Sequence, residues 1–355
     1  MPVFPKPKFS FDYDLAVETA HLRAHKRARG IPRRQTGKLL AATWNIANLG
    51  AQHRRDPDLA LIAEIISWFD LVAVQECREN FGDLFDIHAR LPESFRVLMS
   101  DASGNNERMA FLYDSKKLSL LEEVGEIAFP PSRYSSVKLP GVDAQFNGFD
   151  RTPYLAAFSV GKTSTMFVNV HLYYGDETPA SIARRSLETF AVAKWADLRK
   201  KSLLSFTREL VVMGDFNMPK CEEGDPIYKA LTKLGLDLPE HSTQIGSSIS
   251  SDANYDQIAF LPQTTRDHFR QKRGVRFRYR ALSGAMERRG KRKELQGVLA
   301  LLPLGSPTDV GAAVVLGVTL VHAQSDGPPA FRKVRLAASS AFGISRQMRT
   351  LQHKG

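Results

Sequence analysis

At 355 residues and 43% hydrophobic composition, the chain can bury one large core or two small ones. It contains no run of about 18 apolar residues, and its Pro/Lys-rich start has no apolar stretch after the positive charges, so neither a helical membrane span nor an export signal is expected. The formal net charge of +11 is uneven, because residues 276–355 carry +10 and residues 1–275 only +1, so charge does not assign nucleic acid as the ligand of the main body. Two cysteines, Cys77 and Cys221, have no metal-ligand spacing and form no disulfide framework; they suit a reducing, cytoplasmic setting, and neither needs to be catalytic.

Residues 1–37 are rich in Pro, Lys and Arg, with a short helix expected between Asp14 and Arg29, and form an N-terminal extension. From Lys38 the pattern changes. Leu39–Ile46 predicts a buried strand, Asp56-Pro57 opens a helix with Leu59, Ile62, Ala63, Ile66 and Phe69 at helical spacing, and Asp70–Glu76 predicts a second strand. Further strands are expected at Phe95–Met99, Met109–Tyr113, after Arg151-Thr-Pro153, and at Thr165–Leu172. Pro130–Gly148 reads as a loop and Ala180–Ser202 as a long helix. Glu209–Asn217 and Tyr255–Phe260 complete the strands of a domain spanning 38–275, and no internal repeat is present.

Five of these apolar strands end, or nearly end, in polar groups: Asn45, Glu76, His171, the Asp215/Asn217 pair and Asp256. Taken singly, Gly-Asp215-Phe-Asn217 is as readily an ordinary turn, and a lone strand-end His is more often a hydrogen-bonded structural residue. As a set, carboxylate and amide oxygens without clustered thiols suit a hard cation such as Mg²⁺, with Mn²⁺ as a substitute, which keeps waters and binds phosphate oxygens. A histidine beside such a cation can transfer protons in hydrolysis.

Trp44-Asn45, Gln75-Glu76, Val-Asn-Val-His171, Gly214-Asp215-Phe-Asn217 and Tyr255-Asp256-x-Ile258 follow the order and approximate spacing of the endonuclease/exonuclease/phosphatase family, which the chain resembles from about Leu39 to Phe260. The resemblance implies a four-layer α/β sandwich, two packed mixed β-sheets flanked by helices, with the site at one rim. It also implies metal ligation by Glu76 and Asn45, phosphoryl contact by His171, and positioning of the attacking water by Asp215 and Asn217. Arg151, and with less support Arg108, resemble phosphate-contacting arginines; a surface role for Arg108 fits equally. Asp256 resembles the carboxylate that orients a second catalytic histidine.

That histidine belongs in a Ser-Asp-His segment near the domain end, which this sequence lacks. Asp267-His268 follows Asp256 too closely for the intervening strands, and Ser325-Asp326-Gly327 has Gly in place of His. Residues 276–355 read as a basic tail with little periodicity, solvated or bound to nucleic acid. Back-translation offers a sharper reading. Read one base later, codons permitted for Val275–Ala281 give Phe-Asp-Phe-Asp-Thr-Ala-Leu, and those for Leu301–Val310 give Tyr-Tyr-Leu-Ser-Asp-His-Arg-Pro-Met-Trp. Two separated stretches restoring family-like text at one offset point to a frameshift near Gly274. The expected protein is thus a monomeric Mg²⁺-dependent phosphoesterase, first a nuclease, alternatively a phosphomonoesterase or phospholipid phosphodiesterase, with activity impaired by the missing Asp-His. The alternative from another class is a non-catalytic nucleic-acid or phosphate-binding remnant.

Overall fold

The computed structural model describes residues 13–261, apart from 29–30, 37, 53, 162, 239–246 and 248–252, together with 318–321. Its first sheet is built around two strands that are buried almost throughout and carry the apolar runs Leu39–Ala42 and Leu71–Val74: β1 (Lys38–Leu49) and β2 (Leu71–Cys77), parallel and joined by α2 (Asp56–Ile66). Such continuous apolar runs fit strands covered on both faces. β4 (Arg108–Asp114) pairs antiparallel to β2, and β3 (Phe95–Met99) antiparallel to β4. The second sheet runs β5 (Ser119–Glu126), β6 (Tyr154–Val160), β7 (Thr163–His171), β8 (Leu210–Asp215), β9 (Asp256–Leu261), with only β7 and β8 parallel. α4 (Pro179–Lys201) makes that parallel crossover.

Alternate side chains of both sheets meet in one inner core, with Leu39, Ala73 and Phe111 from the first facing Phe158, Phe167 and Val211 from the second. The outer face of the first sheet packs on α2, on α3 (Gly82–Ala89) and on Leu22 of α1 (Leu15–Ala28); that of the second packs on α4 and α5 (Pro226–Thr232). The result is the expected layer order, helix, sheet, sheet, helix. A buried polar bridge crosses the inner core: Gln75 Nε2 donates to Asn169 Oδ1 at 2.6 Å, and Asn169 Nδ2 donates to the main-chain oxygens of Val74 and Ala110.

The expected strands and both long helices are present. The N-terminal helix packs on the domain, with Leu22 fully buried and Arg23 paired to Glu64 of α2. Three elements lie outside the expectations because their periodic signal is weak. α3 buries only Leu84 and Ile87, β5 alternates exposed and half-buried residues at the sheet edge, and α5 is announced only by its cap, Asp225, which accepts from the main-chain N–H of Ile227 and Tyr228. A further strand, β10 (Val318–Val321), pairs antiparallel to β1 along Lys38–Ala41, inside the stretch read as an out-of-frame tail. The rest of that stretch, with Asp267-His268 and Ser325–Gly327, lies outside the described residues. Among the described residues no helix is long and apolar enough to cross a membrane.

Candidate functional site

The two parallel strand pairs bring the polar strand ends to one rim. In the second sheet, ladder register aligns His171 of β7 with Asp215 of β8, and Asp215 with Asp256 of β9. Asp256 does not end its strand as expected; it begins β9, and reaches the same rim because β9 runs antiparallel to β8. In the first sheet Asn45 stands opposite Gln75, one residue before Glu76. The Asn45 amide then crosses between the sheets: Nδ2 donates to Glu76 Oε1 at 2.9 Å and to Asp215 Oδ2 at 3.1 Å.

Backbone geometry at this rim is unusual. Glu76 (φ 63°), Asn48 (φ 50°) and Asn217 (φ 49°) are all left-handed, a conformation that costs an L-residue energy and is held only where surroundings over-determine it. Glu76 is fixed because its Oε2 accepts from Asn48 N at 2.8 Å. Asn217 is fixed by its own N–H to Asp215 Oδ1 at 2.8 Å and by Nδ2 donating to Leu172 O at 2.7 Å. Gly214 (φ 144°) permits the approach of β8 to β7, since a Cβ there would stand 2.0 Å from Val170 O.

His171 is nearly buried, with Nε2 4.0 Å from Glu76 Oε1 and 3.9 Å from Asp215 Oδ2. Its Nδ1 stands 3.0 Å from Glu107 Oε2, at ion-pair distance though off the line of an ideal hydrogen bond. Glu107 also holds Arg151 Nε at 2.6 Å and Arg78 Nη2 at 3.0 Å. Burial opposes ionisation of Glu107, but His171, Arg151 and Arg78 outweigh it and hold the carboxyl well below its ordinary range. Glu107 and Arg78 were missed in the sequence. Arg78 follows Glu76 by two residues, but Glu107 immediately precedes β4, where strand register alone offers no sign of chemistry.

Of the expected residues, Asn45, Glu76, His171, Asp215, Asn217, Asp256 and Arg151 share the rim. Arg108 does not join them: Nη1 donates to Ser100 O and Asp101 Oδ1, and the guanidinium lies over the Phe81 ring. Cys77 is buried, which pushes its thiol up to about 12.

Among the described residues no three His, Cys, Asp or Glu side chains form a metal cluster. The donor set nevertheless fits a hard cation that takes few protein ligands: Glu76 offers its carboxylate, Asp215 Oδ2 is linked to it through Asn45, and Asn45 Oδ1 is buried with no hydrogen-bond partner.

No family model matches the chain. A deoxyribonuclease of Thioalkalivibrio sp. (strain K90mix) is 29% identical over 212 residues, which is 57% of this chain and 53% of that protein, so the match spans about half the relative's length. The crystal structure of an endonuclease/exonuclease/phosphatase family protein from Bacteroides thetaiotaomicron superposes with TM-score 0.50 at 17% identity, covering 81% of this chain and 95% of that one. A mannosyl-6-phosphatase from the same organism gives TM-score 0.47 at 17% identity over 68% of this chain and 91% of its own. With two mixed sheets and flanking helices, the chain has a fold like that of the endonuclease/exonuclease/phosphatase family protein from Bacteroides thetaiotaomicron.

Proposed function

We propose that the chain descends from Mg²⁺-dependent phosphoester hydrolases of the nuclease type. The observation that carries this reading is the convergence of Asn45, Glu76, His171 and Asp215 from four strands of two sheets onto one rim. The 29% identical relative is a deoxyribonuclease, which favours a phosphodiester substrate.

Glu76 and Asn45 would hold the cation. Bound there, Mg²⁺ would neutralise phosphate oxygens and the charge that develops on them during in-line attack. Asp215, linked to Glu76 through the Asn45 amide, is placed to accept a proton from the attacking water. Asn217 keeps its side chain on Leu172 O, so its part is to fix the turn that aims Asp215. Glu107 orients His171 so that Nε2 faces Glu76 and Asp215, where it can donate to a phosphate oxygen. Arg151 is anchored through Nε on Glu107, the carboxylate that also faces His171 Nδ1, which keeps its charge beside His171.

Asp256 lies in the place from which a carboxylate would orient a second histidine, yet the sequence has no Ser-Asp-His segment after it. We therefore propose that residues 276–355 are out of frame and that turnover is impaired. A second reading, a phosphate or nucleic-acid binder without turnover, is favoured by that same missing segment. The discriminating experiment is Mg²⁺ binding followed by Trp fluorescence, with plasmid cleavage alongside. Loss of Mg²⁺ affinity by about 10-fold or more in Glu76→Ala supports the site. Unchanged affinity overturns it, and rapid cleavage by the unaltered chain overturns the impairment.

A further inference from the structure

We propose that Glu188 is a positioning residue that sets Arg151 and His171 relative to each other by clamping the main chain beside each of them. The proposal rests on the reading of this rim as a phosphoester site. Glu188 lies on the inner face of α4 and is 1% exposed. One carboxylate oxygen accepts from Asp150 N at 3.1 Å and the other from Tyr173 N at 3.0 Å. Asp150 precedes Arg151 directly, and Tyr173 follows His171 by two residues.

The clamp acts where the sheet no longer does. The β6–β7 ladder has its final pair at Tyr154 and Asn169, so the chain entering β6 and the chain leaving β7 both run beyond it. Past that pair, the direct bond between the two segments is Arg151 Nη1 to Leu172 O at 3.4 Å, long for a hydrogen bond. Two short bonds to one rigid carboxylate therefore fix the separation better than the segments fix each other. Arg184, one turn earlier on α4, reinforces the arrangement, with Nε 3.3 Å from Glu188 Oε1 and Nη2 3.0 Å from Asp150 Oδ1. Beside the clamp, the 144–149 loop and α4 border an open pocket of about 430 Å³ lined in part by Arg184 and Glu188.

The charged groups facing Glu188 are Arg184 on its own helix and Asp150 on the facing loop, itself paired with Arg151 Nη1 at 3.1 Å. Burial is the dominant influence and pushes the Glu188 carboxyl up to about 7, against the lowering effects of the Tyr173 N–H and Arg184. Above that pH both oxygens accept; below it one becomes a hydroxyl and a poor acceptor, so the clamp loosens on acidification.

Hydrogen exchange of the full chain, corrected for intrinsic rates, tests this without requiring turnover. Glu188→Gln keeps the shape but leaves one oxygen, and should raise exchange in the segments holding Asp150 and Tyr173 by about tenfold while β1 and β2 stay unchanged. Between about pH 8 and pH 6 the unaltered protein should lose protection in these two segments, and the Gln variant should not. Glu188→Asp keeps the charge but not the reach, and should raise exchange as Gln does. Unchanged exchange in both segments, or an equal rise everywhere, overturns the proposal. Inorganic phosphate titration separates the underlying reading: weaker binding by Glu188→Gln supports positioning of the site. Failure of the unaltered chain to bind phosphate, with the exchange result intact, would leave the clamp and remove the phosphoester assignment.

Discussion

Glu107 is the residue on which the charges of the rim depend. It is the shared acceptor of Arg151, Arg78 and His171, and all but Arg78 are nearly fully buried. Removing it would leave buried cations without a counter-charge, which costs about 3–5 kcal/mol when one partner of a buried pair is lost. Glu107→Ala should therefore lower the unfolding free energy by roughly that amount in urea titration, and Glu107→Gln by less, because the amide oxygen still accepts. The sign with pH follows from the direction of the shift. A carboxyl held below its ordinary value contributes stability above the unfolded pKa and loses it as pH falls through the folded one. For Glu107 that window runs from 4.5 down to about 2, so acid unfolding should be steeper there in the unaltered protein than in Glu107→Gln.

Polar groups gather at one rim of the two sheets, and two contacts keep that rim in place. Gly214 lets β8 lie against Val170 of β7; any side chain would meet Val170 O at 2.0 Å and also strain a φ of 144°. Gly214→Ala should cost on the order of 3 kcal/mol, read as a lowered melting temperature, and should move Asp215 away from His171. The inter-sheet register depends on Asn169, whose amide satisfies Gln75 and two main-chain oxygens of the facing sheet. Asn169→Ala removes these three buried bonds and leaves Gln75 Nε2 with Thr43 Oγ1, at 3.0 Å, with a loss of about 2–3 kcal/mol expected in the same measurement. A substitution in the exposed, alternating β5 should be nearly neutral by comparison.

For the molecule as a whole, the central question is the C-terminal fifth. Codons permitted for it, read one base later, give Ser-Asp-His, and a chain restored to that frame after Gly274 should cleave plasmid DNA with Mg²⁺ at least about 100-fold faster than this one. Equal rates in the two chains, or a gene whose next frame lacks Ser-Asp-His-Arg-Pro opposite Gly305–Thr308, would refute the frameshift. One edge of β1 is paired with Val318–Val321 along Lys38–Ala41.

The sequence by itself determined where most strands and helices run, because apolar runs of strand length alternate with segments of helical spacing, while the four-layer order was implied by the family resemblance. It also made most of the rim legible as a set, since Glu76, His171, Asp215 and Asn217 lie at or just past the ends of apolar runs, with Asn45 inside β1, and the family resemblance gave them their expected roles. What only the tertiary structure decided is how these groups meet. Strand direction placed Asp256 at the beginning of β9, parallel pairing put Asn45 between Glu76 and Asp215, and packing turned Arg108 onto Phe81. Glu107 and Glu188 were beyond the reach of sequence because an ionic partner is chosen by distance across 44 to 64 positions of chain, as in Glu107 to Arg151 and to His171, and not by local pattern.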